Sequence, residues 1–418
     1  MLRYFKNIDA FSRNVIIVFA GMSLFNFFNL LYQLLIAHKL SPEHFAAFNT
    51  LLSVFLIISA PLYTIQVAVA KYAAEFRAKG ELSKIKFLLR DLLKKFLILG
   101  LLTLLIFWFS AIFIINSLKI PSHSAAYLFA VLLASMWLIP LFKGAVQGLE
   151  FFTGLSFALI VIGVIKVALA YMLIVAGYDI AGAITALLVS ELIGLGIYYF
   201  CLRPYFASGA IKREELNYRQ IFGYLLPVAA TYFCFMSLVN ADMIMVKYYF
   251  SAEDSGFYSL AQMVGKIFLF LPIAISTVMF PRTSGLNAIQ QDTAGTLRKS
   301  LFYALCLCLT AGLFYNLFPG LVLRMLTGKV FSESLVLGRL FSISMSFFTL
   351  SYVLILYFLS INSLRFLKYL FLSLALQILA IIFFHQALIQ VQLILCLNSA
   401  VLFVANLFLA RRHGLRVK

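Results

Sequence analysis

From Phe96 to Leu118, between Lys95 and Lys119, the chain carries no charged side chain. About 20 apolar residues are enough to cross the hydrocarbon core of a bilayer, and a soluble fold has few places to hide such a run. The pattern recurs along the chain. Twelve runs are expected to span, at roughly 14–38, 45–72, 94–117, 124–143, 153–177, 181–203, 220–248, 256–282, 299–323, 334–360, 365–385 and 388–410. The runs do not alternate polar and apolar, so a membrane β-barrel is excluded. In lipid each lone segment has to satisfy its own backbone, so the spans are predicted to be helices. The composition agrees: 64% of the 418 residues are hydrophobic and 11% are charged, against about 25% charged in soluble domains. The fold class is therefore an all-α polytopic membrane protein.

A second feature organises the first. The stretch Phe250–Gly285 opens on an acidic turn (Glu253, Asp254), runs apolar through Lys266 and Pro272, and closes on Pro281-Arg282. Leu40–Glu75 is a looser copy. At a shift of 210, Ser41, Glu43, Ala46 and Phe48 fall on Ser251, Glu253, Gly256 and Tyr258; at 211, Pro61 falls on Pro272 and Lys71 on Arg282. A repeat of half the chain length predicts two similar halves: a lobe at 1–203, a linker at 204–219 and a lobe at 220–418. Prolines inside the runs (Pro61, Pro140, Pro227, Pro272, Pro319) are expected to kink or interrupt helices.

The charge pattern sets orientation. Most of the 33 basic residues gather at one set of span ends, including Arg3, Lys6 and Arg13, the 71–95 connection, Lys143, Arg203, Arg282, Arg365, Lys368 and the tail from Arg411. Lys39, Lys119, Lys247, Arg324 and Lys329 fall on the other side. By the positive-inside rule both termini are cytoplasmic. The 71–95 connection reads as a solvated positive loop. The net charge of +18 is explained by these basic ends, so no nucleic-acid partner is expected. Residues 1–13 are polar and basic, and the first apolar run is too long for a signal peptide, so no cleaved leader is expected. The five cysteines sit inside apolar runs as packing residues. No disulfide, metal site or cofactor is predicted.

Charges inside the spans are few: Lys166, Lys266 and Arg339 against Glu191 and Asp242. Each costs about 2.5–3.5 kcal/mol at mid-membrane on insertion scales, so each needs a partner or a wet cavity. A hairpin about Tyr178-Asp179 places Lys166 and Glu191 at equal depth. A hinge near Ala252 does the same for Asp242 and Lys266. Each half is thus expected to carry one acid–base pair, serving as a charge pair or in coupling. Arg339 heads a stripe with Ser342 and Ser346, and either uses it or snorkels outward. Asn26, Asn29 and Gln33 share one face of the first span, where they join helices or line an aqueous cavity. The small surplus of base suits an anionic cargo such as a pyrophosphate headgroup. Lys266, Arg339, Lys166, Asn26, Asn29 and Gln33 are the candidate substrate-binding residues, with Asp242 and Glu191 the candidate coupling residues.

The sequence resembles the multidrug/oligosaccharidyl-lipid/polysaccharide (MOP, MATE-like) exporter superfamily, and within it the polysaccharide-biosynthesis flippases of the Wzx type. The resemblance is carried by Leu40–Phe45, Gly144-Ala-Val-Gln-Gly-Leu-Glu150, Phe250–Tyr258, Lys266 and Phe280-Pro-Arg282. It implies two pseudo-symmetric six-helix lobes around a central cavity. It also implies alternating access that carries an undecaprenyl-pyrophosphate-linked oligosaccharide across a bacterial cytoplasmic (inner) membrane. Its partners would be that glycan lipid, membrane lipids and glycosyltransferase or polymerase machinery, and the basic residues that match are Lys266 and Arg339. The sequence departs from the pattern at Ala46, where such proteins often have glycine. It also has two spans fewer than the fourteen usual in the lipid II branch. Two other readings compete. A MATE-like cation or drug antiporter would rely on cavity acids. A membrane glycan polymerase or ligase would want a large outer loop with acid–base groups, and the outer connections are about ten residues or fewer. The protein is therefore expected not to be an enzyme.

Overall fold

The computed structural model describes residues 10–206, 218–270 and 273–414. Among these the chain is helical throughout, with no strand. The first half comprises α1 (Ala10–Lys39), α2 (Pro42–Ser59), α3 (Leu62–Ala78), α4 (Leu82–Ser117), α5 (His123–Ser135), α6 (Leu138–Gly148), α7 (Phe152–Val175) and α8 (Asp179–Phe206). The second comprises α9 (Tyr218–Leu238), α10 (Ala241–Tyr249), α11 (Ala252–Phe270), α12 (Ile273–Ala288), α13 (Ala294–Leu317), α14 (Pro319–Thr327), α15 (Ser332–Ser360), α16 (Leu367–Phe383) and α17 (Leu388–Gly414).

Among the described residues nine helical segments are long and apolar enough to cross a membrane, or ten if α9 and α10, bent by 41°, form one span. The two remaining runs of the expected twelve are α16, at 17 residues, and the stretch divided into α11 and α12. Several of the expected runs are also divided. Pro61 separates α2 from α3, and Pro319 opens α14 as its first residue. Pro140 sits just after the break between α5 and α6, while Pro227 is carried inside α9. Pro272 lies outside the described residues. The α9–α10 bend has no proline. There the Asn240 side chain donates to the Met236 carbonyl at 2.9 Å, a local bond that competes with the helix ladder.

The related stretches share their local build. The hydroxyl of Ser41 accepts from His44 N at 3.2 Å, and that of Ser251 accepts from Asp254 N at 3.0 Å, so each serine caps the helix that follows it. Helix starts, at 42 and 252, repeat at a shift of 210. Helix ends and restarts, 59/62 and 270/273, repeat at 211.

The 71–95 connection is not an extended loop. α3 ends in a glycine-closed turn with Gly80 at φ +69. Glu81 N reaches Phe76 O at 2.9 Å, Gly80 N reaches Arg77 O at 3.0 Å, and α4 starts at once. A second turn of this kind, with Gly177 at φ +88, joins α7 to α8 and makes the expected hairpin at Tyr178-Asp179.

The chain packs as two compact units, 1–40 with 58–229, and 41–57 with 230–418. They differ from the expected lobes of 1–203 and 220–418 chiefly in α2, most of which belongs to the second unit. There Pro42 fills the space beside Gly256, its Cβ 2.8 Å from where a side chain would begin. Residues 207–217 of the expected linker lie outside the described residues. The core of the first unit joins α3, α4, α6, α7 and α8 through Phe76, Leu89, Leu141, Leu159 and Tyr198. α6 lies so close to α3 that a Cβ on Gly144 would sit 2.6 Å from the Gln66 carbonyl oxygen. This is the small-residue packing that lipid-embedded helices favour. Arg77 clamps the end of that seam, donating to Leu149 O at 2.7 Å and pairing with Glu150 at 2.8 Å.

Candidate functional site

In the first unit the candidate side chains lie on α1, α7 and α8, where α1 packs on α7 and α7 on α8. The close approach of α1 and α7 depends on small residues: Gly21 faces Ser156, whose hydroxyl donates to Ile17 O at 3.0 Å, and Gly163 faces Phe28. Lys166, on α7, is 5% exposed. Its ammonium donates to the Asn29 side-chain oxygen and lies 5.2 Å from the ring centroids of both Phe25 and Tyr32. The Tyr32 hydroxyl in turn donates to Ala183 O of α8 at 2.7 Å, which fixes that ring. Residues 25, 29 and 32 follow i, i+4, i+7 on α1, one face of the helix. The lysine is thus held in a cage of one amide and two aromatic faces, an arrangement that stabilises a desolvated cation.

Glu191 is the acid expected opposite Lys166. No ion pair within 4.0 Å joins it to Lys166 among the described residues. Glu191, half-buried on α8, lies within electrostatic reach of both Lys166 and Lys143. The partners of the Lys166 ammonium are on α1: Asn29, Phe25 and Tyr32. Lys143 was counted only as a cytoplasmic-end charge, and nothing in the sequence singled it out. The amide stripe of the first span divides: Asn29 is taken by Lys166, Gln33 is half-buried, and Asn26 is exposed.

In the second unit Asp242 sits in the first turn of α10 with no exposed surface. The Tyr258 hydroxyl donates to its Oδ2 at 2.8 Å, and Gln262 Nε2 approaches both oxygens at 3.3 and 3.4 Å. Tyr258 also reaches Gln392 Oε1 at 3.2 Å, and Gln392 Nε2 donates to the Ser344 hydroxyl at 2.8 Å. One carboxylate thus ties α10, α11, α15 and α17 together through neutral hydroxyls and amides. Lys266 follows Gln262 by one helical turn, is half-buried, and lies within electrostatic reach of Asp242, without an ion pair within 4.0 Å. Tyr258, Gln262 and Lys266 recur at i, i+4, i+8, so the sequence held this signal, although only Lys266 stood out as a charge. A carboxylate solvated by neutral donors can hold a negative charge or a proton without a fixed cation.

Arg339 is exposed near the start of α15. In the expected polar stripe, Ser342 donates to Arg339 O at 2.7 Å, and Ser346 to Ser342 O at 2.6 Å. Among the described residues no group of three His, Cys, Asp or Glu side chains is placed to hold a metal ion.

The fold has well-matched counterparts among solved structures. A multidrug resistance MATE family transporter of the MOP superfamily, in its inward-facing conformation, superposes with a TM-score of 0.76 at 14% identity, covering 96% of this chain and 98% of that one. The lipid II flippase MurJ in an inward closed conformation gives 0.72 at 13% identity, over 95% and 87%. A MOP superfamily transporter from Pyrococcus furiosus, described as having a binding pocket of reverse polarity, gives 0.65 at 16% identity, over 97% and 95%. At these identities the likeness is one of fold. No protein of curated function matches the sequence significantly. The family pattern described as "Polysaccharide biosynthesis protein" matches residues 11–287, and with two-thirds of its length so matched the chain belongs to the polysaccharide biosynthesis protein family.

Proposed function

We propose that the protein is a flippase that moves an undecaprenyl-pyrophosphate-linked oligosaccharide across the bacterial cytoplasmic membrane for cell-surface polysaccharide synthesis. Both termini lie in the cytoplasm on this reading. It works by a population shift between inward- and outward-facing states and makes or breaks no covalent bond. The observation that carries the reading is a lysine inside an apolar helix in each unit, Lys166 on α7 and Lys266 on α11, in a chain of a polysaccharide-biosynthesis family. Intramembrane ammonium groups are costly and persist where they serve a function. Lys266, beside a carboxylate that is already solvated by Tyr258 and Gln262, is the group that meets the pyrophosphate. Lys166, Asn29, Gln33, Asn26 and Arg339 complete the anion-handling set. Asp242 and Glu191 supply the coupling or balancing charges. Glycosyltransferases and polymerases of the same pathway would supply and consume the cargo.

A MATE-like cation antiporter is the second reading. The full burial of Asp242 among hydroxyl and amide donors favours it.

The test is leaflet transfer of a fluorescent undecaprenyl-pyrophosphate oligosaccharide in proteoliposomes, comparing wild type with Lys266→Ala. Transfer that collapses at least tenfold in the variant supports the flippase and the role of Lys266. Equal transfer by both removes Lys266 from the site. If the wild type moves no glycan lipid yet exchanges an organic cation in a manner abolished by Asp242→Asn, the antiporter reading replaces the first.

A further inference from the structure

Away from these lysines, the second unit carries a groove of about 510 Å³ along α16 and α17. Its walls are Tyr369 and Phe408, with Ala400, Val401, Val404 and Ala405 between them. The small side chains at 400 and 405 leave the space, and the lining is almost wholly carbon. The volume falls in the ~300–1,000 Å³ range of small-molecule sites.

The end of the groove is basic. The Lys368 ammonium stands 4.9 Å from the centroid of the Tyr369 ring, on the groove's own wall. Arg365 is exposed one turn before Tyr369, and Arg411 is exposed three residues past Phe408. No ion pair engages any of the three among the described residues. The sequence explains why: residues 334–418 contain no aspartate or glutamate at all. A helix pair that must be covered by lipid therefore ends in a cluster of cations with no acid of its own stretch to balance them. Basic pockets between transmembrane helices bind anionic lipid headgroups where they face an anionic leaflet.

We propose that this groove is a binding site for one anionic glycerophospholipid, with an acyl chain between Tyr369 and Phe408 and the phosphate at Lys368 and Arg411. The occupant is a membrane phospholipid rather than the tail of a transported polyprenol, because an eleven-isoprene chain is far too long for a groove of this size. The site is independent of the transport reading.

The test uses the purified full chain in detergent, titrated with palmitoyl-oleoyl phosphatidylglycerol or the matched phosphatidylcholine and read by native mass spectrometry. Wild type is expected to retain one phosphatidylglycerol in preference to phosphatidylcholine. Each headgroup cation is worth about fivefold in affinity, so Lys368→Gln with Arg411→Gln lowers the preference by about 25-fold. Ala405→Phe, which fills the groove, removes the tight site for both lipids. The two cations are exposed, so their variants keep the test valid even where Ala405→Phe does not fold. A wild type that binds both lipids alike overturns the proposal, as does a preference that survives the double substitution. Displacement of phosphatidylglycerol one for one by undecaprenyl phosphate at lower concentration would assign the groove to the cargo instead.

Discussion

Gly144 is the position where a single methyl group tests the packing of the first unit. In Gly144→Ala the new Cβ lies 2.6 Å from the Gln66 carbonyl oxygen and 3.1 Å from the Val69 Cβ. Ordinary contact begins near 3.4 Å, so the shortfall is about 0.8 Å. The obstruction is helix backbone, which cannot rotate away as a side chain can, so α3 and α6 must part. A gap of ~0.5–1 Å forfeits about a quarter to a half of each dispersion contact along the seam, and overpacking of this kind costs about 1–3 kcal/mol. Alanine also gains about 0.8–1.0 kcal/mol over glycine in helix propensity, which has to be removed from the comparison. Gly196→Ala on α8 does this, since nothing lies within 4 Å of its Cβ position. The difference between the two variants is therefore the steric term, about 1–3 kcal/mol. For a unit of about 200 residues that is a melting-temperature gap of about 2–12 °C. Thermal unfolding of both variants in one detergent, followed by a fluorescent thiol or scattering probe, measures it. Equal melting temperatures would refute the argument that α3 and α6 meet through backbone.

Three further outcomes follow from the polar sites. Asn29→Leu leaves the buried Lys166 ammonium without its acceptor and should cost about 1–3 kcal/mol, while Asn29→Leu with Lys166→Met recovers most of it, as a double-mutant cycle on thermal stability will show. Tyr258→Phe removes a hydroxyl shared by Asp242 and Gln392 and should cost about 1.5–3 kcal/mol if the carboxylate is ionised; the same substitution in an Asp242→Asn background should cost less, and an equal cost in both means Asp242 is protonated. At the aqueous end of α3 the Lys79 hydrogen bond holds the Glu75 carboxyl below its ordinary value. A depressed carboxylate stabilises above its unfolded pKa and loses that contribution as pH falls through the folded one, so a carboxyl-carbon NMR titration should find Glu75 low in wild type and restored in Lys79→Met.

Much of the helix content was readable because a lipid-spanning run leaves the backbone no alternative to a helix. Ser41 and Ser251 were readable as matched turns because a short hydroxyl before an apolar run is a cap. Faces were harder to read. Spacing from the Tyr178-Asp179 turn speaks only to distance along the two helices for Lys166 and Glu191. It said nothing of azimuth, and a rotation of a few tens of degrees decides between Glu191 and Asn29. Ser342 and Ser346 beside Arg339 illustrate another limit of the sequence: serine hydroxyls inside a helix can bond to their own backbone, so a polar stripe need not face water. In the basic 71–95 connection, charge density alone does not separate a solvated helix from a solvated coil. Gly80, one position past a basic helix end, was the overlooked sign.

That connection gives the chain a mechanical part. α4 has 36 residues, about 54 Å at ~1.5 Å per residue, against a hydrocarbon core of about 30 Å. About 24 Å of continuous helix is left over, and its first turns carry Lys84, Lys86, Arg90, Lys94 and Lys95. Arg90 is tied to the end of α8 through Phe206 O at 2.9 Å. One face of this overhang is packed, with Ile85, Leu88, Leu89 and Leu92 buried in the core of the first unit, so the overhang moves with that core. A tilt of about 10° at the membrane surface swings the α3–α4 turn by about 4 Å, so spin labels at that turn would report, at the aqueous end, any rotation of that core.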